Sequence, residues 1–173
     1  MPDLYPVEGR PMLTAERLKE LLLYDPETGA WIWLIPTSNR VASGAMAGRK
    51  GGCGYWQIGI DGKRYPSARL AFLYMTGKWP SAYIDHVDRD SDNNRWANLR
   101  EATNSQNMAN RPKASSNTSG YKGVTWARRD KKWAAQIMVN GRWIGLGYFV
   151  DPKLASAAYV SAALKYFGAF SHA

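Results

Sequence analysis

The sequence predicts an α+β fold built in two parts, and three observations carry that expectation. Segments with helical spacing and segments that read as strands are interleaved along the chain. A polar, Pro-containing stretch, RPKASSNTSG at 111–120, separates a longer N-terminal part from a shorter C-terminal one. Charge divides at the same place. Residues 1–110 hold 13 Lys/Arg against 12 Asp/Glu, a balance of +1, whereas residues 111–173 hold 10 against 2, a balance of +8. The expected organisation is a domain at 1–110, a linker at 111–120 and a second domain at 121–173.

Thr14 supplies an N-cap, and Leu18, Leu21 and Leu22 follow at helical spacing. Turn chemistry at 24–29 leads to a strand at 30–34, and residues 36–54, with Arg40, Arg49 and Lys50, read as a loop. Asp61-Gly62 closes a type I′ hairpin over 55–65, and a helix from Ser67 to about Thr76 ends at Gly77. Tyr83-Ile84 is a short strand that delivers Asp85 and His86 to a loop, and Asn98–Glu101 is a second. Thr103 and Gln106 match the capping box, which starts a helix carrying Asn107. Beyond the linker, 121–126, 133–139 and 142–149 predict three antiparallel strands, the last two joined by Asn140-Gly141. Asp151-Pro152 opens a final helix, on which Ala155, Ala158 and Ala162 form a stripe of small residues facing the sheet, and Gly168 ends it.

Composition excludes several classes. A 45% hydrophobic and 13% aromatic content argues for packed cores and against disorder. No apolar run reaches the ~18 residues of a membrane span, and no basic-then-apolar leader opens the chain, so a cytoplasmic monomer is expected. One cysteine, Cys53, rules out an internal disulfide and a multi-cysteine zinc knuckle. The basic last third points to a polyanionic partner.

The chemistry concentrates in IDHVDRDSDNNRWANLREATNSQN, residues 84–107, which hold one of two histidines; the other, His172, reads as a solvated terminus. Hydrolysis of a phosphodiester needs a nucleophile, charge stabilisation at phosphorus and help for the leaving oxygen. A single hard cation, Mg²⁺ or Mn²⁺, is satisfied by oxygen donors plus water, so Asp85 with Asn107 is a sufficient protein contribution. His86 is suited to accept a proton from water near neutral pH. Asn98 is placed in the catalytic set with it, better fitted to pin the loop than to react. A calcium loop starting at Asp88 is excluded, because Asn93 and Leu99 occupy the sixth and twelfth positions where Gly and Glu are required.

The run DHVDRDSDNNRWANLREATNSQNMANR resembles the HNH homing endonucleases and the ββα-metal motif of their phage-encoded members. LTAERLKELLLYDPETGAWIW and GYWQIGIDGKRYPSARLAFLYMTGKWP resemble their N-terminal part, extending the likeness to roughly residues 13–111. It implies His86 as general base, Asp85 and Asn107 as metal ligands and Asn98 as the motif's central, structural asparagine. Relatives often carry His where this chain has Ala68.

The C-terminal part is similar to the Apetala-two/ethylene-response-factor DNA-binding domain. The likeness rests on Ser119–Val124, Trp133–Ile137, Gly145–Phe149 and Ala157-Ala158-Tyr159 with Ala162-Ala163; Val160 stands where the family has Asp. It implies a sheet laid in the major groove of double-stranded DNA, with contacts from Arg128, Trp133, Gln136, Arg142 and Trp143, and from Lys122, Arg129, Lys131 and Lys132 nearby. Strand alternation sets Trp133 and Gln136 on opposite faces, so the two are not expected to contact DNA together. Arg69 and Arg95 are further phosphate-contact candidates. The expected function is a metal-dependent, nicking endonuclease with a DNA-binding second domain. Its rivals are a non-catalytic DNA-binding regulator and an RNA-binding or RNA-processing protein.

Overall fold

The computed structural model describes residues 12–36, 41–52 and 54–171; Arg40, Cys53 and His172 lie outside them. In chain order the elements are α1 (Ala15–Leu21), β1 (Leu22–Tyr24), β2 (Trp31–Trp33), β3 (Arg49–Lys50), β4 (Trp56–Ile60), β5 (Lys63–Pro66), α2 (Ser67–Thr76), β6 (Tyr83–His86), β7 (Leu99–Ala102), α3 (Asn104–Asn110), β8 (Val124–Ala127), β9 (Lys132–Val139), β10 (Arg142–Phe149) and α4 (Pro152–Phe167). They form two compact units, Met1–Arg100 and Glu101–Ala173, and β7 runs across the division. The fold is α+β, with a C-terminal three-stranded antiparallel sheet packed on a helix.

In the first unit, Thr14 Oγ1 accepts the Arg17 N–H at 3.2 Å and opens α1. The helix is shorter than its leucine spacing suggests. Leu22 is already extended, and β1 pairs antiparallel with β2 through Leu22↔Trp33 and Tyr24↔Trp31. Strands β3, β4 and β5 make an antiparallel sheet, so the expected 36–54 loop contains a short edge strand. The β4–β5 turn holds Asp61 at φ 48° and Gly62 at φ 78°, the two positive angles a type I′ turn requires. Leu18, Leu21, Leu22, Ile58, Leu70 and Leu73 share one core cluster. Each such side chain contributes roughly 1.5–3 kcal/mol by leaving water. Strands β6 and β7 form a two-stranded sheet, and a single 3₁₀ turn at Trp96–Asn98 delays the second strand until Leu99.

In the second unit, α3 begins with the full capping box. Thr103 Oγ1 accepts the Gln106 N–H at 3.2 Å, and Gln106 Oε1 accepts the Thr103 N–H at 2.8 Å. Ala109 of this helix packs with Ile137, Tyr159, Ala163 and Phe167, and the Asn140 N–H donates to Ser105 Oγ at 2.8 Å. The division between units therefore falls ahead of the 111–120 segment. Part of that segment is itself held in place: Asn117 Nδ2 and Ser119 Oγ both donate to the Tyr121 carbonyl at 2.9 Å. The first C-terminal strand consequently starts at Val124, not Tyr121. The sheet order is β10-β9-β8, with a bulge between Gly145 and Gly147. Helix α4 is capped by Asp151, has Pro152 in its first turn, and buries Ala155 and Ala162. It lies so close to the sheet that a Cβ on Gly123 would sit 2.1 Å from the Tyr159 ring.

Candidate active site

Strand β6 ends by burying two polar side chains, Asp85 at 5% and His86 at 7% exposure. The loop after them is built from Asp and Asn side chains folding back on the backbone. Asp88 Oδ1 accepts the Asp90 N–H, and Asp90 Oδ1 accepts the Asp92 N–H, both at 2.9 Å. Asn98 closes the loop from its far end. Its Nδ2 donates to Asp88 Oδ1 (2.9 Å) and to the Asn93 carbonyl (2.8 Å), while its Oδ1 accepts the Asp88 N–H (3.0 Å). Burial works to raise the Asp88 carboxyl, but the Asp90 N–H, the amides of Asn93 and Asn98 and the neighbouring His86 outweigh it. They hold Asp88 below the ordinary carboxylate range. Lys50 Nζ ties the outer side of the loop to β3 through Asp92 at 2.6 Å.

Each buried group of β6 has its own partner. Arg100 on β7 places both Nε and Nη2 at 2.9 Å from Asp85 Oδ2, a charge-assisted fork on one oxygen. His86 Nε2 lies 3.3 Å from Asn94 Oδ1. Asn94 is anchored in turn, since its carbonyl accepts the Tyr24 hydroxyl at 2.6 Å. The Trp96 N–H donates to the Pro26 carbonyl at 2.9 Å, so the β1–β2 turn grips the loop at two points. Burial raises the Tyr24 hydroxyl well above its usual range, with Asp25 adding to the effect, and keeps it a donor.

The first unit thus brings Asp85, His86 and Asn98 together. Asn107 belongs to the second unit, half-buried on α3 with its N–H bonded to the Thr103 carbonyl at 2.9 Å. Arg69, a candidate for phosphate contact, is engaged within the first unit. Its Nη1 and Nη2 donate to the Ala82 and Pro80 carbonyls at 3.1 and 3.3 Å, and its guanidinium lies over the Trp79 ring, so it clamps the chain after α2. Arg95 is exposed.

In the second unit, buried Ala135 and Ile137 define the face of β9 turned to α4. Trp133 alternates onto that same face, packs with the Val124–Ala135–Ala155 cluster and meets the Trp126 ring at 5.0 Å. It is half-buried in that packing. Arg142 pairs with Val139 and shares the face of Ile144, so it too leaves the open side, although its side chain is exposed. Lys122 Nζ donates to the Ala109 and Arg111 carbonyls and fastens the end of α3. The open face retains Lys132, Gln136, Met138, Trp143 and Tyr148, with Trp143 opposite Met138 and 61% exposed. Arg128, Arg129 and Lys131 are exposed in the β8–β9 turn.

Residues 68–109 match the family model for HNH endonuclease. The chain is 37% identical over 60 residues to Protein 3.8 of Escherichia phage T7, covering 35% of this chain and 50% of that protein. It is 32% identical over 100 residues to an uncharacterised HNH endonuclease of Acanthamoeba polyphaga mimivirus, covering 57% and 51%. The chain thus spans about half the length of these curated relatives. Among solved structures, the HNH homing endonuclease I-HmuI aligns with a TM-score of 0.40 and 24% identity, covering 52% of this chain and 51% of its own.

The side chains of Asp85 and Asn107 are each of the oxygen-donor type that hard divalent cations accept. Asp85 offers carboxylate oxygen and Asn107 amide oxygen, and among the described residues no group of three or more His, Cys, Asp and Glu gathers into a cage. Sequence reading missed Asn94 and Arg100. Asn94 stands beside Asn93 with nothing local to distinguish them, and the partnership of Arg100 emerges only from the pairing of β6 with β7.

Proposed function

We propose that this chain is a divalent-metal-dependent endonuclease that hydrolyses DNA phosphodiester bonds, leaving 5′-phosphate and 3′-hydroxyl ends. The observation that carries this reading is the buried Asp85–His86 pair at the end of a strand, set within an HNH endonuclease segment. His86 accepts the proton of the attacking water. Asp85 and Asn107 would hold the cation, Mg²⁺ or Mn²⁺, which would supply charge neutralisation at the phosphate and the leaving oxygen. Asn98 keeps the loop in the shape that presents His86, through its three bonds to Asp88 and Asn93. One such centre cleaves one strand, so the product is a nick.

Residues 121–173 act as the DNA-binding domain, of Apetala-two/ethylene-response-factor type. Support comes from the basic balance of the last third and from the open sheet face bearing Gln136 and Trp143 beside the turn cations. Gln is suited to adenine edges, and the turn cations to phosphates. Such a tether raises the effective concentration of the HNH segment at its site.

His86→Ala is expected to lower plasmid nicking at least about 100-fold while duplex affinity stays within about twofold. Cutting that survives the substitution overturns the assignment of the base. Arg100, which already balances the Asp85 charge, favours a second reading as a non-catalytic DNA-binding regulator. In that case the wild-type chain binds DNA but makes no nicks with either Mg²⁺ or Mn²⁺.

A further inference from the structure

Asn94 occupies an unusual place for an amide in a polar loop. It is 5% exposed, and each of its polar groups has a partner of a definite kind. Its Nδ2 donates to the Asp92 carbonyl at 3.3 Å, and its own carbonyl accepts the Tyr24 hydroxyl at 2.6 Å. The first bond fixes which way the amide faces, because turning it over would set Oδ1 against the Asp92 carbonyl, acceptor against acceptor. Oδ1 therefore faces the His86 ring, 3.3 Å from Nε2. Only an N–H can stand opposite an amide oxygen, so Nε2 carries the proton and Nδ1 is the acceptor nitrogen of the neutral ring.

The brace extends further into the chain. Gly29 stands at φ +76°, and a Cβ there would lie 2.4 Å from the Asn94 carbonyl carbon and 2.7 Å from the Arg95 nitrogen. The β1–β2 turn thus lies directly on the backbone that carries Asn94. Packing of that kind leaves little room for rotation, and Tyr24 holds the same peptide from its other side.

We propose that Asn94 is a positioning residue that sets the tautomer of His86, with the Tyr24–Gly29 turn as its support. This inference rests on the reading of His86 as the base that accepts the water's proton. It gives residues 22–33 a part in the chemistry, since they hold the amide that directs the lone pair on His86.

The test uses the full chain carrying His172→Gln, which leaves His86 as the remaining histidine. Imidazole ¹⁵N spectra are recorded without metal at alkaline pH. The expected result is a single Nε2–H tautomer with a slowly exchanging Nε2 proton. Asn94→Leu, near in volume but lacking the acceptor, is expected to give a tautomeric mixture and to lose that proton signal. Asn94→Asp, which keeps an acceptor toward the ring but turns an oxygen to the Asp92 carbonyl, is expected to retain the Nε2–H tautomer while its proton exchanges faster. With Mg²⁺ and plasmid DNA, Asn94→Leu is expected to lower kcat about 10–100-fold with KM within about twofold, the scale of lost outer-shell partners. Should Asn94→Leu fail to fold, Tyr24→Phe provides the second variant: the Nε2 proton is then expected to exchange faster than in the parent. A parent ring in the Nδ1–H form, or an Nε2 proton whose exchange is unchanged in every folded variant, overturns the proposal. A parent that shows the expected spectra and never nicks DNA overturns the nuclease reading and leaves the Asn94 assignment standing.

Discussion

The 87–98 loop and the β8–β9 turn are both short, charged connections between paired strands, yet they are built in opposite ways. In the loop, Asp88, Asp90, Asn93, Asn94 and Asn98 are consumed by bonds to neighbouring backbone and to one another. In the turn, Arg129 pairs with Asp130 at 3.5 Å, and the side chains of Arg128 and Lys131 are exposed. Polar groups tied inward fix the position of a neighbour, here His86. Charges turned outward have no geometry to defend and suit a partner whose phosphates are themselves spaced along a chain.

Gly29→Ala attacks the loop at its support and carries the largest expected effect. An L-residue in the left-handed region costs about 1–2 kcal/mol, and the overlap with the Asn94 peptide adds about 1–3 kcal/mol. A loss of about 2–5 kcal/mol in denaturant unfolding is therefore expected; an unchanged midpoint would show that the turn does not press on the loop. Next in size, Arg128→Ala with Lys131→Ala is expected to weaken duplex binding and flatten its log–log salt dependence by about two, one per lost phosphate contact, at unchanged Tm. A lowered Tm with an unaltered salt slope would make the turn structural, like the loop.

The smallest effect concerns acid. Asp88 has a folded pKa held below its unfolded value, so its contribution is present above about pH 4 and fades as pH falls through the folded pKa. Asp88→Asn should therefore be less stable than wild type near neutrality, and the gap in Tm should close on acidification. A gap that is constant from pH 7 to below about pH 3 removes the carboxylate charge from the account of the loop.

Local chemistry made much of the fold legible. Asp61-Gly62 and Asn140-Gly141 announce hairpins because few other pairs tolerate two positive φ angles. Thr103 with Gln106 and Asp151 with Pro152 announce helix starts through the donors they satisfy. Features decided by distant partners were not legible. Leu22 fits the helical stripe of α1 as well as a strand over so few residues, and pairing with Trp33 decides it. Lys122 and Arg69 read as phosphate ligands because nothing near them in sequence reveals the carbonyls they bind. In the candidate site, Asp85 and His86 stood out by type and order. Asn94 and Arg100 acquire their significance only from the fold around them, through the His86 ring and the Asp85 carboxylate.

The open sheet face has an optical consequence. Trp31 and Trp33 in the first unit are 2% and 7% exposed, so their fluorescence comes from a dry, rigid surrounding at short wavelength. Trp143, at 61% exposure, meets bulk water more fully than Trp126 (46%) and Trp56 (37%) and contributes most to the red edge. A stacking or quenching ligand laid across that face changes the red-edge signal and leaves the blue component as an internal standard. The protein thus carries its own ratiometric probe, with no dye to attach and no cysteine to modify.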